Sequence, residues 1–439
     1  MQGFRPRVLV LAEAANPEWV SVPLVGWSLA HALREVAEVH IVTQIRNRDA
    51  FLRAGMIEGQ DFTAIDSEAL ARPMWALAQR LRMGEGKGWT VLQAIGALSY
   101  PYFERLVWRQ FGAAIRAGAY DIVHRVTPLS PTVSSPIAAR CRTAGVPFVL
   151  GPLNGGVPWP AGFDAERRRE REWLSYVRGA YRLLPGRRAT MGAAAILVGS
   201  RHTLSEIPPQ HRARCIWLPE NGIDPARFWR QATPAPGPLR ACFIGRMVPY
   251  KGPDMLLEAA AHLLADGRMT LEMIGDGPML ADLRAQAAGI GGAVRFHGWV
   301  DHARVQDIAA GCGMLAFPSI REFGGGVVLE AMALGLAPLV VDYAGPGELV
   351  VPGTGYTVPI GPRAAIVAAV RAELERCAAD PAGVAATGAR ARARVGALFT
   401  WPQKARQVAG VYAWVLGKQP TRPHMFDGAT QAEPLARLP

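Results

Sequence analysis

Cysteine is scarce in this sequence. There are five in 439 residues, Cys141, Cys215, Cys242, Cys312 and Cys377, and no two of them form a C-x-x-C pair. An odd number of isolated cysteines argues against a disulfide-stapled secreted domain and against a zinc site. No other metal-ligand spacing is present. We therefore expect buried, free thiols in a reducing cytosol, and no metal or other cofactor.

Long apolar runs are also missing. The run near the N-terminus, from Val8 to Ala14, is interrupted by Glu13 and is too short for the core of a signal peptide. No stretch reaches the ~18 consecutive apolar residues that a membrane-spanning helix needs. Long polar tracts are absent as well, which argues against wholesale disorder. These absences predict a folded cytoplasmic protein.

The first predicted strand, "RVLVLAEA", is followed by "ANPEW" and has no glycine-rich turn. This lack argues against a nicotinamide-dependent oxidoreductase, which needs G-x-G-x-x-G at that place. The net charge is nevertheless +12, which indicates an anionic partner such as a nucleotide, a phosphate, a nucleic acid or an acidic membrane. No helix-turn-helix or basic–aromatic module is visible, so we do not expect nucleic-acid binding.

What the sequence does contain is a repeated alternation of continuous apolar strands with helices, the pattern of parallel sheets covered on both faces. It lapses between Ala50 and Tyr120, where the sequence looks helical, and it restarts after the proline-rich stretch 230–240. In the second block, helices are predicted from Pro253, from Gly277 and near His302. The pattern predicts an α/β protein with two doubly wound, Rossmann-like domains that face each other across a cleft.

The predicted domain limits follow from these breaks. Residues 1–230 form an N-terminal domain, and residues 236–398 form a C-terminal one. The segment 400–417 reads as an amphipathic helix, and 418–439, rich in proline and polar residues, reads as a flexible tail.

In an open parallel sheet, ligands bind beyond the carboxyl ends of the strands. After the strand "ACFIG" come Arg246 and Lys251, five residues apart and followed by Gly252 and Pro253. An arginine fork and a mobile lysine at this place can form a clamp for an anion. The alternative, that both are solvated loop charges, has about even weight from these residues alone.

The stretch "SIREFGGGVVLEAMALG" (319–335) combines two carboxylates with three glycines. Gly324, Gly325 and Gly326 leave bare backbone N–H groups where a helix begins, which suits a phosphate or a developing negative charge. Glu322 precedes the helix, and Glu330 lies just over one turn inside it, so both can point to the same ligand and accept hydrogen bonds from hydroxyls. The rival interpretation pairs Glu330 with a buried arginine, which is a poor device for stability.

Four segments in this order and spacing, "GRMVPYKG", "IGDGP", "VRFHG" and "EFGGGVVLEAMALG", resemble the C-terminal domain of glycosyltransferase family 4. The similarity spans about 160 residues from Ala241. "ENGIDPARF" resembles the family's entry into the linker, and "FTWPQKARQVAGVYAWV" its terminal helix, which crosses back to the N-terminal domain. The N-terminal half is similar only through "DIVHRVTP" and "GPLNGG". The resemblance implies the GT-B fold and a retaining, nucleotide-sugar-dependent enzyme of the bacterial surface-polysaccharide type.

The resemblance also implies roles for single residues. Arg246 and Lys251 would hold the donor diphosphate and neutralise the leaving group without a metal ion. Glu330 would bind the ribose, and Glu322 would position the donor sugar. Further donor contacts would come from the segment after Glu322, namely Phe323, Gly324, Gly325 and Gly326. The loop 298–300, with Val300, would lie against the base.

His124, after a strand of the N-terminal domain, would reach the donor sugar from across the cleft. An ordinary histidine at a strand end is an alternative of nearly equal weight. The sequence also departs from the family pattern here, because Val126 stands where many relatives have a second histidine. The usual "E-P-F-G" appears as "E-F-G-G", a variation that keeps the spacing.

The expected reaction moves a hexosyl unit from a nucleotide-diphosphate sugar to a hydroxyl acceptor, a lipid-linked or growing surface-polysaccharide glycan. A nucleotide-sugar epimerase of the same two-domain architecture is the alternative. The basic, tryptophan-bearing segments 74–116 and 167–188 either dock peripherally on the anionic inner face of the cell membrane or form a solvated basic face with tryptophans in the core.

Overall fold

The computed structural model describes residues 5–81, 89–164, 167, 190–228, 230–234 and 236–423. These residues fall into two compact units. The N-terminal unit lies within Met1–Gly156, Arg168–Glu220 and Trp401–Pro439. The C-terminal unit lies within Val157–Arg167 and Asn221–Thr400.

The predicted limit at residue 230 differs from these units in two respects. The chain enters the C-terminal unit at Asn221, before the proline-rich stretch, and the earlier segment Val157–Arg167 also belongs to that unit.

The N-terminal unit is built on a seven-stranded sheet of order β3-β2-β1-β4-β5-β6-β7, in which every neighbouring pair is parallel. Its strands are β1 (Arg7–Ala12), β2 (Glu38–Gln44), β3 (Phe62–Ile65), β4 (Ile122–Thr127), β5 (Phe148–Leu153), β6 (Ala195–Val198) and β7 (Cys215–Trp217). Strand β3 corrects the prediction that the chain is helical from Ala50 to Tyr120. It is only four residues long, and it pairs in parallel with β2, with Phe62 opposite Ile41.

The described helices of this unit lie on both faces of the sheet. They are α1 (Val22–Ala32), α2 (Arg48–Arg53), α3 (Glu68–Leu81), α4 (Trp89–Arg116), α5 (Ile137–Thr143), α6 (Arg201–Ser205) and, at the end of the described chain, α14 (Trp401–Val415). Strand β1 is buried on both faces, so the sheet needs a layer of helices on each side. Val8 and Val10 enter a core that also holds Val408 and Tyr412 of α14, whereas Leu9 and Leu11 enter a second core on the opposite face.

The C-terminal unit contains a six-stranded parallel sheet of order β10-β9-β8-β11-β12-β13. Its strands are β8 (Leu239–Ile244), β9 (Met269–Ile274), β10 (Val294–Gly298), β11 (Met314–Phe317), β12 (Ala337–Asp342) and β13 (Tyr356–Pro359). Its helices are α7 (Pro253–Ala265), α8 (Leu280–Ala287), α9 (His302–Ala309), α10 (Gly326–Leu334), α11 (Ala344–Leu349), α12 (Arg363–Ala379) and α13 (Pro381–Leu398). The two parallel sheets with their helices confirm the predicted α/β, two-domain architecture.

All five cysteines are buried and free, as predicted. Within the part of the chain that is described, no helix is both long and apolar enough to span a bilayer. Near the start of the segment predicted to be a tail, the Arg422 guanidinium donates to the Ala213 carbonyl oxygen at 3.0 Å. The rest of that segment, 424–439, lies outside the described residues.

Candidate active site

The loops that follow β8, β9, β10 and β11 form one continuous surface, here called the carboxyl rim (residues 245–252, 275–279, 298–301 and 318–325). The Met247 amide donates to the Asp276 carbonyl oxygen at 2.8 Å, and the Gly275 amide donates to that of Gly298 at 2.9 Å. The Ile320 amide donates to the Tyr250 carbonyl oxygen at 2.9 Å. The structure therefore brings these loops together, as the rule for parallel sheets predicts.

Lys251 is held over the end of the sheet by its own loop. It ends a short 3₁₀ turn, and Gly252 at φ +69° then starts helix α7. A Cβ atom at Gly245 would lie only 3.3 Å from Lys251 Cδ, so the absence of a side chain there makes room for the lysine. The ammonium group lies 5.5 Å from the centre of the Phe317 ring, at the end of β11.

Lys251 and Glu322 meet at the carboxyl rim. Lys251 Nζ lies 3.3 Å from Glu322 Oε2, and the two side chains are 18% and 21% exposed. The pair is therefore largely shielded and still partly accessible to solvent. Ion pairs of this kind contribute only about 0–1 kcal/mol to stability, so an anionic ligand can compete for the lysine.

The glycines of the segment 319–335 have a packing role as well as the predicted one. Gly325, at φ +60°, is the N-cap of helix α10, and a Cβ atom there would lie 2.9 Å from Leu349 Cδ1. A Cβ atom on Gly345 would lie 2.1 Å from the Phe323 carbonyl oxygen. The loop thus lies directly against helix α11. Gly326 is the first residue of α10, where backbone N–H groups have no partner inside the helix.

Arg246 and Glu330 occupy the places expected from the strand and helix limits. Arg246 is exposed, two residues after β8, and Glu330 is half-buried, four residues into α10. Side chains on a helix tilt toward its N-terminus, so the Glu330 carboxylate is directed to the end of the helix that belongs to the carboxyl rim.

The loop 298–300 carries the most exposed large hydrophobic side chain of the C-terminal unit among the residues described. Trp299 is 74% exposed, and it follows Gly298, whose φ is +65°. The neighbouring Val300 is half-buried. A flat aromatic surface therefore stands at the carboxyl end of β10.

Sequence reasoning missed Arg321, which is 8% exposed and organises the loop that bears Glu322. Its Nε donates to the Val157 carbonyl oxygen at 3.1 Å, and its guanidinium lies 5.0 Å from the Trp159 ring and 5.5 Å from the Phe323 ring. The Phe323 ring is thus engaged by a cation of its own loop. The available signal was the position of Arg321, a second charge directly before Glu322.

His124 is not placed where a ligand can reach it. Its ring is completely buried inside the N-terminal unit, with Nδ1 at 2.7 Å from Tyr412 Oη and Nε2 at 2.7 Å from the Gly151 carbonyl oxygen. Burial lowers the pKa of His124 to about 4, so the ring is neutral near pH 7. These contacts match the structural alternative, a histidine that joins β4, β5 and α14, and they correct the prediction of a sugar-binding side chain.

Residues 226–378, all within the C-terminal unit, match the model of the family "Glycosyl transferases group 1". Among curated proteins, the chain is 32% identical over 202 residues to a glycogen synthase of Mycobacterium tuberculosis, which covers 45% of this chain and 48% of the relative. It is also 32% identical over 192 residues to a D-inositol 3-phosphate glycosyltransferase of Streptomyces bingchenggensis, covering 40% and 41%. The chain thus spans about half the length of the curated relatives it matches.

Solved structures share the fold over nearly the whole chain. The crystal structure of HepE from Anabaena in complex with UDP superposes with a TM-score of 0.58 at 15% identity, covering 93% of this chain and 99% of that one. Sucrose-phosphate synthase from Thermosynechococcus elongatus gives 0.59 at 18% identity, covering 94% and 100%. The chain therefore has the two-domain α/β fold of these structures, the GT-B class, and its C-terminal unit carries the region of group 1 similarity.

Proposed function

We propose that the chain is a retaining, metal-independent glycosyltransferase of family 4 that moves a hexosyl unit from a nucleotide-diphosphate sugar to a hydroxyl acceptor. The observation that carries the proposal is the meeting of Lys251 and Glu322, 3.3 Å apart, beside the N-terminus of α10 and inside the region of group 1 similarity. One cation for phosphate and one carboxylate for hydroxyls are what a sugar diphosphate needs at the bond that breaks.

The donor diphosphate would displace Glu322 from Lys251. The ammonium group, the Arg246 guanidinium and the backbone N–H groups at the start of α10 would then surround the phosphate oxygens. As the glycosidic bond breaks, negative charge grows on the diphosphate, and these groups stabilise it without moving. The released Glu322 carboxylate would accept hydrogen bonds from the sugar hydroxyls and orient the ring.

The rest of the donor would lie along the carboxyl rim. Glu330 would accept hydrogen bonds from the two ribose hydroxyls. The backbone of 323–326 would contact the sugar, and the loop 298–300 would lie against the base. Val300 would line that contact, and the exposed Trp299 ring stands next to it.

Retention follows if the acceptor hydroxyl attacks on the face from which the diphosphate leaves. A phosphate oxygen would take the acceptor proton, so the protein needs no nucleophile at the anomeric carbon. The balance is simple: one C–O bond to phosphate breaks, one C–O bond to the acceptor forms, and the proton passes to the nucleoside diphosphate. His124 has no part in this scheme because both of its ring nitrogens are engaged.

A screen of nucleotide sugars by thermal unfolding tests the donor proposal, since a ligand that binds the native state raises its apparent stability. UDP-glucose is the first compound to try, because one fold neighbour, HepE, was solved in complex with it. We expect at least one nucleotide sugar to raise Tm in the wild type and not in Lys251→Ala. No shift with any donor contradicts the proposal. Turnover of the donor without an acceptor favours the epimerase alternative.

We further propose that the acceptor is a lipid-linked or growing surface-polysaccharide glycan, with the protein at the inner face of the cell membrane. Much of the basic segments 74–116 and 167–188 lies outside the described residues. Trp108 is described, and it packs against the second core with Arg116 and Arg140 over its ring, which favours a buried role for that tryptophan. Co-sedimentation with acidic vesicles decides the matter: salt-sensitive binding supports the membrane proposal, and its absence ends it.

A further inference from the structure

A polar pocket lies in the C-terminal unit, toward the amino ends of the strands and away from the carboxyl rim. Its volume is about 310 Å³, and it is lined by Pro236, Pro238, Arg240, Thr270, Glu272, Gly292, Ala293 and Arg295. Arg240, Thr270 and Arg295 are each the second residue of their strand, and Glu272 lies two residues further along β9, whereas the carboxyl rim follows the carboxyl ends of these strands. Five residues of strand separate Arg240 from Gly245, which corresponds to about 16 Å.

Strand register brings the polar side chains together. Arg240 pairs with Thr270 across β8 and β9, and Arg295 pairs with Glu272 across β10 and β9. Because partners in register point to the same face of a sheet, all four side chains project from one face. His297 joins them two residues after Arg295 on that strand.

Glu272 is the buried anchor of this group. Its side chain is 5% exposed, and its carboxylate is contacted by His297 Nε2 at 2.7 Å, Arg240 Nη2 at 3.4 Å and Arg295 Nη1 at 3.8 Å. Two guanidinium groups against one carboxylate leave a surplus positive charge, even when His297 is counted as neutral. Each arginine has five N–H donors and gives only one such contact to Glu272, so both retain donors for a ligand.

Thr270 adds an independent signal. Its Oγ1 is buried and has no hydrogen-bond partner among the described residues. A buried hydroxyl without a partner is costly, and native structures have few of them. Since Thr270 lines the pocket between the arginines, an acceptor atom of a bound ligand would satisfy it.

We propose that this pocket binds a small phosphate monoester. The arginine forks match the geometry of a phosphate, and the Thr270 hydroxyl donates to a third oxygen. Pro236, Pro238 and Ala293 supply apolar walls for a short organic group, and a volume of about 310 Å³ is at the small end of ligand pockets. The site is separate from the carboxyl rim, and the inference does not depend on the proposed function.

Isothermal titration with inorganic phosphate and with glycerol 3-phosphate tests the inference, with glycerol as the neutral control. The full chain carrying Lys251→Ala is the background, so that any phosphate bound at the carboxyl rim under the proposed function adds less to the signal. We expect one saturable site for both anions, with glycerol 3-phosphate bound at least as tightly as phosphate, and no heat from glycerol.

Substitutions in the pocket identify the site. Arg295→Gln is the main variant, because the side chain is 71% exposed and its loss leaves the fold intact. We expect it to weaken phosphate at least tenfold, and Thr270→Val to weaken it about threefold or more, the loss of one hydrogen bond. Arg268→Gln removes an exposed arginine of the same unit outside the pocket and should change nothing. Absence of saturable binding, or equal affinity in all three variants, overturns the proposal.

Discussion

Replacing Lys251 by alanine is the sharpest test of the candidate active site. At a distance of about 3.3 Å and an effective dielectric constant of about 20, one charge pair is worth about 5 kcal/mol. Water entering the space recovers part of this, so we expect about 3 kcal/mol to be lost where charge grows on the leaving diphosphate, or about a hundredfold in kcat. The fold should survive, because the partly exposed pair with Glu322 contributes at most about 1 kcal/mol to stability.

The assay is the release of nucleoside diphosphate from the donor identified by the thermal screen, measured with and without acceptor. Circular dichroism and Tm report the fold of each variant. Lys418→Ala serves as the matched control, because it removes an exposed lysine of the N-terminal unit. If folded Lys251→Ala keeps kcat within tenfold of the wild type, the lysine is not part of the catalytic machinery and the reasoning fails.

Three further outcomes follow from the structure. Arg321→Gln should cost about 1–3 kcal/mol of unfolding free energy through the lost buried contact to Val157, and should weaken donor binding in a titration. Gly345→Ala should lower Tm and donor affinity because the new Cβ meets a carbonyl oxygen at 2.1 Å, whereas Gly289→Ala, with open space, should do neither. Burial lowers the pKa of Lys404 to about 7, so the unfolded chain binds more protons than the folded chain between pH 7 and pH 10. The unfolding free energy of the wild type should therefore rise with pH in this range, by up to about 1.4 kcal/mol per pH unit relative to Lys404→Met. Equal pH slopes in the two proteins would contradict this.

The layout of both sheets was predictable because the signal is local. A continuous apolar strand such as β1 needs a hydrophobic layer on each face, and the two cores around Val8 and Leu9 supply them. The short edge strands β3 and β13 carry no such signal. Two of the four residues of β3 are only half-buried, and β13 has exposed residues at two of four positions. Their pairing is decided by the neighbouring strand rather than by their own composition.

The candidate site was predictable where its parts follow neighbouring strands of one sheet. Lys251 and Glu322 follow adjacent strands of one parallel sheet, so the rule for strand ends brings them together. The role of Arg321 could not be predicted in the same way. Its hydrogen-bond partner, Val157, lies 164 residues earlier in the chain, in a segment that the sequence pattern assigned to the other domain.

His124 shows why a residue type at a strand end is a weak guide to chemistry. Position alone allows a ligand-facing ring or a buried one, and the outcome depends on α14, which starts 277 residues later and brings the Tyr412 hydroxyl to Nδ1. The three glycines before α10 show the reverse. Their lack of side chains was predicted to expose backbone N–H donors. The packing also requires it, because a Cβ atom on Gly325 would lie 2.9 Å from Leu349 Cδ1, and one on Gly345 would lie 2.1 Å from the Phe323 carbonyl oxygen. The same absence of side chains therefore serves packing as well as the proposed binding, because a side chain at Gly325 or Gly345 would separate helix α11 from the loop that bears Glu322.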